Sequence, residues 1–353
     1  MALNSSYLNY IHNLRGLAIL FILGVHCRTS FGWGDNTFSE KFWFSILVYG
    51  TIIFVFIAGF LFQHVHRAKF DYKTYLKKKF TYVILPYVIV SIPALINKLF
   101  FDGHQPWQSD DYLTSSVIYK VGYMLVTGKH MGPFWFIPMI TLIYIISPLL
   151  IYLDRTRYFY KFLFPFVFVS GLFLYDFGYN VNTWISFLYY IPVYLFGMAC
   201  SRYKAYITDM KPLILLSLIA VYLTIIILEL SDVIAIGKRY GFVEDERSNA
   251  YLFNFGKLKM LVLSPILVYV LYKLRNSKLN VLGALGTYSF GIFFLHLYII
   301  RIIEVAVNKI YPTFSFNSFS FVVHVMLVSF LSIGAIKVIK LVVKERSRYI
   351  VGS

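Results

Sequence analysis

Apolar residues fall along this chain in long runs rather than in stripes. Runs of 17 to 23 residues, each bounded by charged or turn residues, lie near 10–30, 42–62, 80–100, 134–153, 161–177, 183–200, 212–230, 257–274, 280–300 and 319–341. As helices, each reaches across a hydrocarbon core about 30 Å thick. The pattern predicts an all-α polytopic membrane protein with about ten transmembrane helices. Ser115–Thr127 is the ambiguous stretch: 13 residues broken by Lys120 are too few to span, and it reads as interfacial or re-entrant.

An even number of spans places both termini on one side. The basic segments Arg67 to Lys79, Arg155 to Lys161, Arg202 to Lys211, Lys273 to Lys278 and Lys344 to Arg348 then share that side, which the positive-inside rule makes the cytoplasm. Assigning every charge puts 21 Lys/Arg and four acids there and 12 of each on the other side, so the whole net charge of +17 is a topology signal. It needs no nucleic-acid partner; anionic membrane lipid suits it equally.

Composition narrows the class further. Only 14% of residues are charged, against roughly 25% in soluble domains, and mean hydropathy is +0.69, which excludes a soluble enzyme and a disordered chain. Two cysteines, Cys27 and Cys200, make no disulfide framework. No small-x-small site follows the first span, so a cleaved signal peptide is not expected. Without repeats or a linker, residues 1–353 read as a single membrane domain with no fused soluble domain; the outer loops 101–133 and 231–256 are too small to bury a core.

Ionisable groups inside spans mark function by default, because lipid tolerates them poorly. In the first span Arg15 and His26 are 11 residues apart, about 1100° of helical rotation, within about 20° of three turns and about 16 Å along the axis. They share one face at two depths, suited to the two ends of a ligand threaded across the bilayer; the alternative is a snorkelling arginine and a structural histidine. The ninth span carries His296 at the depth of His26, and either neutral imidazole is a candidate general base. Asp176 and Glu229 end the fifth and seventh spans on that side, where they either orient a histidine or cap their helices in solvent. His12, His64, His66, His104, His130 and His324 receive no role.

Metal-ligand spacings such as H-x-x-x-H and paired C-x-x-C are absent, as are the P-loop, dinucleotide-binding and nucleophile-elbow signatures. No metal is expected. Lys77, Lys78 and Lys79 lead into the third span, where they either dock an anionic nucleotide-like ligand or simply anchor the helix. Pro133-Phe-Trp-Phe-Ile-Pro138 opens the fourth span with aromatics that suit an interfacial belt or a sugar-stacking platform.

Five segments decide between these readings. Asn13-Leu-Arg15-Gly with His26, Phe54-Val-Phe-Ile-Ala-Gly59-Phe, Tyr75 to Pro86, Phe134-Trp-Phe-Ile followed by Ile146-Ser-Pro148-Leu, and Tyr288-Ser-Phe-Gly-Ile-Phe-Phe-Leu-His296 resemble the acyltransferase 3 family in order and spacing, from Asn13 to about Pro312. The resemblance implies an O-acyltransferase of the bacterial cytoplasmic (inner) membrane. Such an enzyme moves acetyl or another small acyl group from cytosolic acetyl-CoA, a co-substrate rather than a bound cofactor, to a hydroxyl of an extracytoplasmic polysaccharide or lipid-linked glycan. The chain looks most like the stand-alone members that modify surface polysaccharide such as enterobacterial common antigen.

By the same resemblance His26 and His296 are the catalytic candidates. Arg15, Lys77, Lys78, Lys79, Trp135 and Tyr288 are the substrate-binding ones. Lysines stand where the family often has arginines, which forgoes bidentate phosphate geometry. Expected partners are membrane lipid, acyl-CoA and a carbohydrate acceptor, with a homo-oligomer or a glycan-synthesis complex both open. A polysaccharide or small-solute exporter or flippase is the rival class; it predicts inverted repeats and paired broken helices, which the sequence does not clearly show.

Overall fold

The computed structural model describes residues 8–34, 37–103, 105, 107–156, 158–174, 182–236 and 253–352. Within them the chain is an all-α polytopic membrane protein with no strand. The helices are α1 (Asn9–Cys27), α2 (Phe38–Leu47), α3 (Thr51–His66), α4 (Tyr72–Lys79), α5 (Leu85–Phe100), α6 (Asp110–Thr114), α7 (Val117–Thr127), α8 (Phe136–Ile145) and α9 (Ser147–Arg155). They continue as α10 (Phe164–Gly171), α11 (Thr183–Arg202), α12 (Lys204–Thr208), α13 (Pro212–Leu230), α14 (Phe255–Lys273), α15 (Asn280–Ile310), α16 (Ser318–Val343) and α17 (Ser347–Ile350).

Among the described residues eight helical stretches are long and apolar enough to span: α1, α2 with α3, α4 with α5, α11, α13, α14, α15, and α16 with α17. The expected fourth span is a broken one, α8 and α9 meeting at 53°. Pro148, in the first turn of α9, has no N–H to give; Ser147 Oγ donates to the Tyr144 carbonyl instead, at 2.7 Å. The expected fifth span is a 13-residue helix, Phe159–Gly171, and the rest of 161–177 lies largely outside the described residues. The ambiguous stretch is α7, 11 residues long and too short to cross.

Two spans contain a π-helical turn, Phe80–Ile84 before α5 and Phe159–Leu163 before α10. Each is followed two residues later by a proline, Pro86 or Pro165. The ring would collide with the carbonyl four residues back and cannot bond to it, so the turn widens by one residue.

Two close helix crossings organise the bundle. A Cβ on Gly16 would lie 2.1 Å from the Leu282 carbonyl oxygen and one on Gly286 2.3 Å from that of His12, so α1 and α15 meet backbone to backbone. The pairs His12–Gly283 (2.8 Å) and Arg15–Ser289 (3.0 Å), and further on the facing rings of His26 and His296, show that the two run in the same direction. That is the relation expected of the first and ninth spans. Gly59 on Tyr194 O (2.0 Å) and Gly197 on Phe56 O (2.1 Å) do the same for α3 and α11. Small residues at such crossings let dispersion forces hold helices together where no hydrophobic effect operates.

Two buried carboxylates hold helices together through paired donors. Glu229, expected to orient a histidine or to cap a helix in solvent, does neither: it is 1% exposed, and its carboxylate accepts from Lys259 Nζ and Ser45 Oγ, joining α13, α14 and α2. Without bulk water a lone carboxylate is too costly, so the nearest ammonium claims it. At the opposite end of the bundle Asp154 accepts from Gln63 (2.9 Å), Tyr160 (2.6 Å) and Arg202 (3.0 Å), tying α3 and α9 to the π turn and α11.

Four variants test this frame by thermal unfolding in detergent. Gly59→Ala should lose about 1–3 kcal/mol through overpacking, whereas Gly334→Ala, with nothing within 4 Å of the added carbon, should be neutral or slightly stabilising. Glu229→Leu should cost about 3–5 kcal/mol by stranding Lys259, and Lys259→Met in the same chain should restore most of it.

Candidate active site

The face of α1 that carries Arg15 also carries Ile22 and His26, at positions i, i+7 and i+11. Arg15 and Ile22 line an internal cavity of about 340 Å³. Its other walls are α3 (Phe54, Ala58, Phe62, His66), α4 with its π turn (Tyr75, Lys79, Tyr82), α8 (Phe136, Ile140, Tyr144), Tyr194 of α11, and Phe290 and Phe293 of α15. The cavity is polar at the end where the basic segments gather and apolar at the other.

At the polar end the Arg15 guanidinium donates to Ser289 Oγ at 3.0 Å. Lys79 Nζ stands 4.6 Å from the centre of the Tyr144 ring and 5.3 Å from that of Tyr75, a cation over two aromatic faces. His66 lies edge-on to Tyr75, ring centroids 5.0 Å apart, and forms with it the sill of a second recess lined by Lys69, Asp71, Thr74 and Lys78. The lysine run therefore divides, because successive helical residues diverge by about 100°. Lys79 faces the cavity, Lys78 the recess, and Lys77 is exposed beside neither.

Ile22, Phe136 and Phe293 form an apolar collar on the cavity wall, and Ile22 and Phe293 stand one helical turn before His26 and His296, which do not line the cavity. Beyond this collar the rings of His26 and His296 face one another with centroids 5.1 Å apart. His296 is fully buried. Its Nδ1 lies 2.8 Å from the Phe293 carbonyl oxygen and 3.1 Å from that of Ile292; both can only accept, which assigns the proton to Nδ1 and leaves a lone pair on Nε2. That Nε2 has no hydrogen-bond partner among the described residues. An orphaned buried acceptor costs about 1–3 kcal/mol, a penalty that persists where a ligand or a reaction uses the atom.

The other expected site residues lie elsewhere. Trp135 stacks on Tyr190, ring centroids 5.4 Å apart and 29° between planes, and is not on the cavity wall. Tyr288 turns toward α16, where Lys340 Nζ sits 4.8 Å above its ring; Ser289, Phe293 and His296 form the inward face of α15 instead. Asp176 and His104 lie outside the described residues. Residues that sequence reasoning left without a role join the site: His66, Tyr75, Tyr144 and Tyr194. The one available signal was the Tyr75–Lys79 spacing of i, i+4, which puts both on one face of α4. Among the described residues no three His, Cys, Asp or Glu side chains converge to hold a metal.

The loop between α7 and α8 covers His26 at the outer end of the pair. A Cβ on Gly132 would lie 4.0 Å from His26 Cε1 and 3.7 Å from Leu297, so the ring faces backbone here. His130 anchors this loop through Nδ1 to the Met124 carbonyl (3.0 Å) and Nε2 to Ser91 Oγ (2.8 Å).

Comparison with known proteins gives one match. A family model described as an acyltransferase domain fits residues 8–338. No curated protein and no solved structure matches the chain.

Burial lowers the pKa of His130 to about 4, outweighing its hydrogen bond to Met124, and Lys98 adds to the shift. In the unfolded chain it titrates near 6.5, so above that pH the ring is neutral in both states and its contribution is intact. As pH falls from 6.5 toward 4 the unfolded chain takes up a proton that the folded one refuses, and about 3 kcal/mol or less of stability should be lost. Unfolding midpoints across that range should fall in the parent chain and fall less steeply in His130→Phe, after allowing for the substitution's own constant cost.

Proposed function

The chain belongs to the acyltransferase 3 family, and from that premise we propose that this membrane acyltransferase moves acetyl, or a similarly small acyl group, from acetyl-CoA to a hydroxyl of a surface polysaccharide or lipid-linked glycan. The basic end of the bundle is then cytoplasmic and the histidine pair lies toward the outer side. One observation carries the reading: two imidazoles, delivered by parallel helices to a ring separation of 5.1 Å, stand beyond a cavity whose far end holds Arg15 and Lys79.

The donor's phosphates stay with the cations at the basic end. A drug-sized ligand needs about 300–1,000 Å³, so a cavity at the foot of that range suits the slender arm of the thioester and not its nucleotide. Amide and thioester groups of the arm meet the hydroxyls of Tyr75, Tyr144 and Tyr194, and the methylenes meet the apolar collar. Ile22, Phe136 and Phe293 part to let the acyl carbon reach His26.

An imidazole nitrogen of His26 removes the proton of the acceptor hydroxyl as its oxygen attacks the thioester carbonyl. The carbon–sulfur bond breaks, and the leaving thiolate takes the proton back from the imidazolium. In the two-step variant His26 itself receives the acyl group and passes it to the hydroxyl. The unprotonated Nε2 of His296 supplies a second acceptor one ring away, able to hold the proton during either route.

Mass spectrometry of surface glycans from a deletion strain complemented with each variant tests the proposal. The parent chain should restore acetyl groups. His26→Ala, expressed at the same level, should lower the acetylation rate about 10²- to 10⁴-fold. Full acetylation in that variant would remove His26 from the chemistry. Substrate uptake by vesicles without thioester loss would argue for an exporter.

A further inference from the structure

The cavity has a wall supplied by the last residues of the final spanning stretch. After α16 the helix is interrupted at Lys344, whose φ of +52° lies in the left-handed region that a residue with a side chain avoids. A single 3₁₀ turn, Lys344–Arg346, leads into α17, which lies across α5 and the π turn Phe80–Ile84. From there Val351 is buried and Gly352 lines the cavity. Only glycine fits at 352: its φ is +70°, and a Cβ would fall 2.3 Å from Phe290 Cδ1. The segment thus bridges the third span to α15 and covers the basic end of the cavity between them.

Its hold is light for a wall. Tyr349 stacks on Tyr82, itself a cavity residue, with centroids 5.9 Å apart and planes at 20°, and the Arg348 guanidinium sits 4.7 Å from the centre of the same ring. Val351 and Ser347 are buried, whereas Lys344, Glu345, Arg346, Arg348 and Tyr349 are exposed. Few buried contacts next to a left-handed hinge describe an element that opens locally at small cost. The cavity of about 340 Å³ is too small for a whole nucleotide thioester, so the nucleotide stays outside and the arm enters at the basic end, which this segment borders.

We propose that residues 344–352 form the moving wall of the donor port, swinging about Lys344 and breaking the Tyr82–Tyr349 stack to admit the acyl donor's arm between the π turn and α15. The cations it carries, Arg346 and Arg348, then lie at the mouth beside the donor's phosphates. This rests on the reading of the cavity as the donor's.

Two measurements decide it. Tyr82→Cys with Tyr349→Cys, joined by a short bis-methanethiosulfonate cross-linker, should stop incorporation of labelled acetyl from acetyl-CoA in inverted membrane vesicles, and reductant should restore it. Each protein is compared with its own rate before the reagent is added, and the single variants and the parent chain, whose own cysteines are buried, control for modification without cross-linking. Undiminished incorporation in the locked protein would overturn the proposal. Independently of any donor, Ala58→Cys on the cavity wall should react with a charged, membrane-impermeant maleimide. Adding Tyr349→Ala should speed that reaction several-fold to about tenfold, the weight of one aromatic stack on a local opening. An unchanged rate would equally overturn it. If the unlocked protein incorporates no acetyl at all, the donor reading falls instead, and the labelling rates alone decide whether the segment is a gate.

Discussion

The geometry of the candidate site depends on how α1 lies against α15. Gly16 and Gly286 remove the side chains that would keep the two backbones apart, and close contact fixes their relative depth to within a fraction of a turn. Because the helices run parallel, that single crossing sets two distant pairings at once, Arg15 on Ser289 at one end and His26 on His296 at the other. Neither pairing could be shifted without dragging the other along. The second crossing, α3 on α11, supplies the opposite walls of the cavity, Ala58 and His66 from one helix and Tyr194 from the other.

Polar groups inside this protein divide into those whose needs are met and those left waiting. Glu229 with Lys259 and Ser45 is a closed set, and Asp154 is satisfied by three donors, although the amide oxygen of Gln63 beside it has no partner among the described residues. His296 is different: one nitrogen is fully engaged and the other has no protein partner within the described residues. Its open lone pair stands next to a second imidazole, the arrangement on which the proposed chemistry rests.

Much of this was legible in the sequence, for a simple reason. Run length reports a span, charge asymmetry reports sidedness, and an 11-residue spacing reports a shared helical face, so the membrane class and the Arg15–His26 stripe could be read directly. What could not be read is rotation of one helix about its axis relative to another. Three consecutive lysines cannot share a face, yet nothing in Lys77-Lys78-Lys79 says which one turns inward, and the answer, Lys79, comes from the packing of Tyr75 and Tyr144. Tyr288 and Ser289 are neighbours in one motif, but only Ser289 reaches Arg15. Glu229 looked like a residue at the end of its span because its partner, Lys259, lies 30 positions away.

The π turn at Phe80–Ile84 carries a consequence of its own. It holds one residue more than an α-helical turn, so the lysines before it and the apolar positions after it are out of phase with any single helical repeat. A chain that lost one residue there would close the wide turn and press the Pro86 ring against the carbonyl four residues before it. The strain would fall on the segment that seats Lys79 in the cavity while every amino acid around it stayed the same. The length of this segment is therefore held more tightly than its spelling.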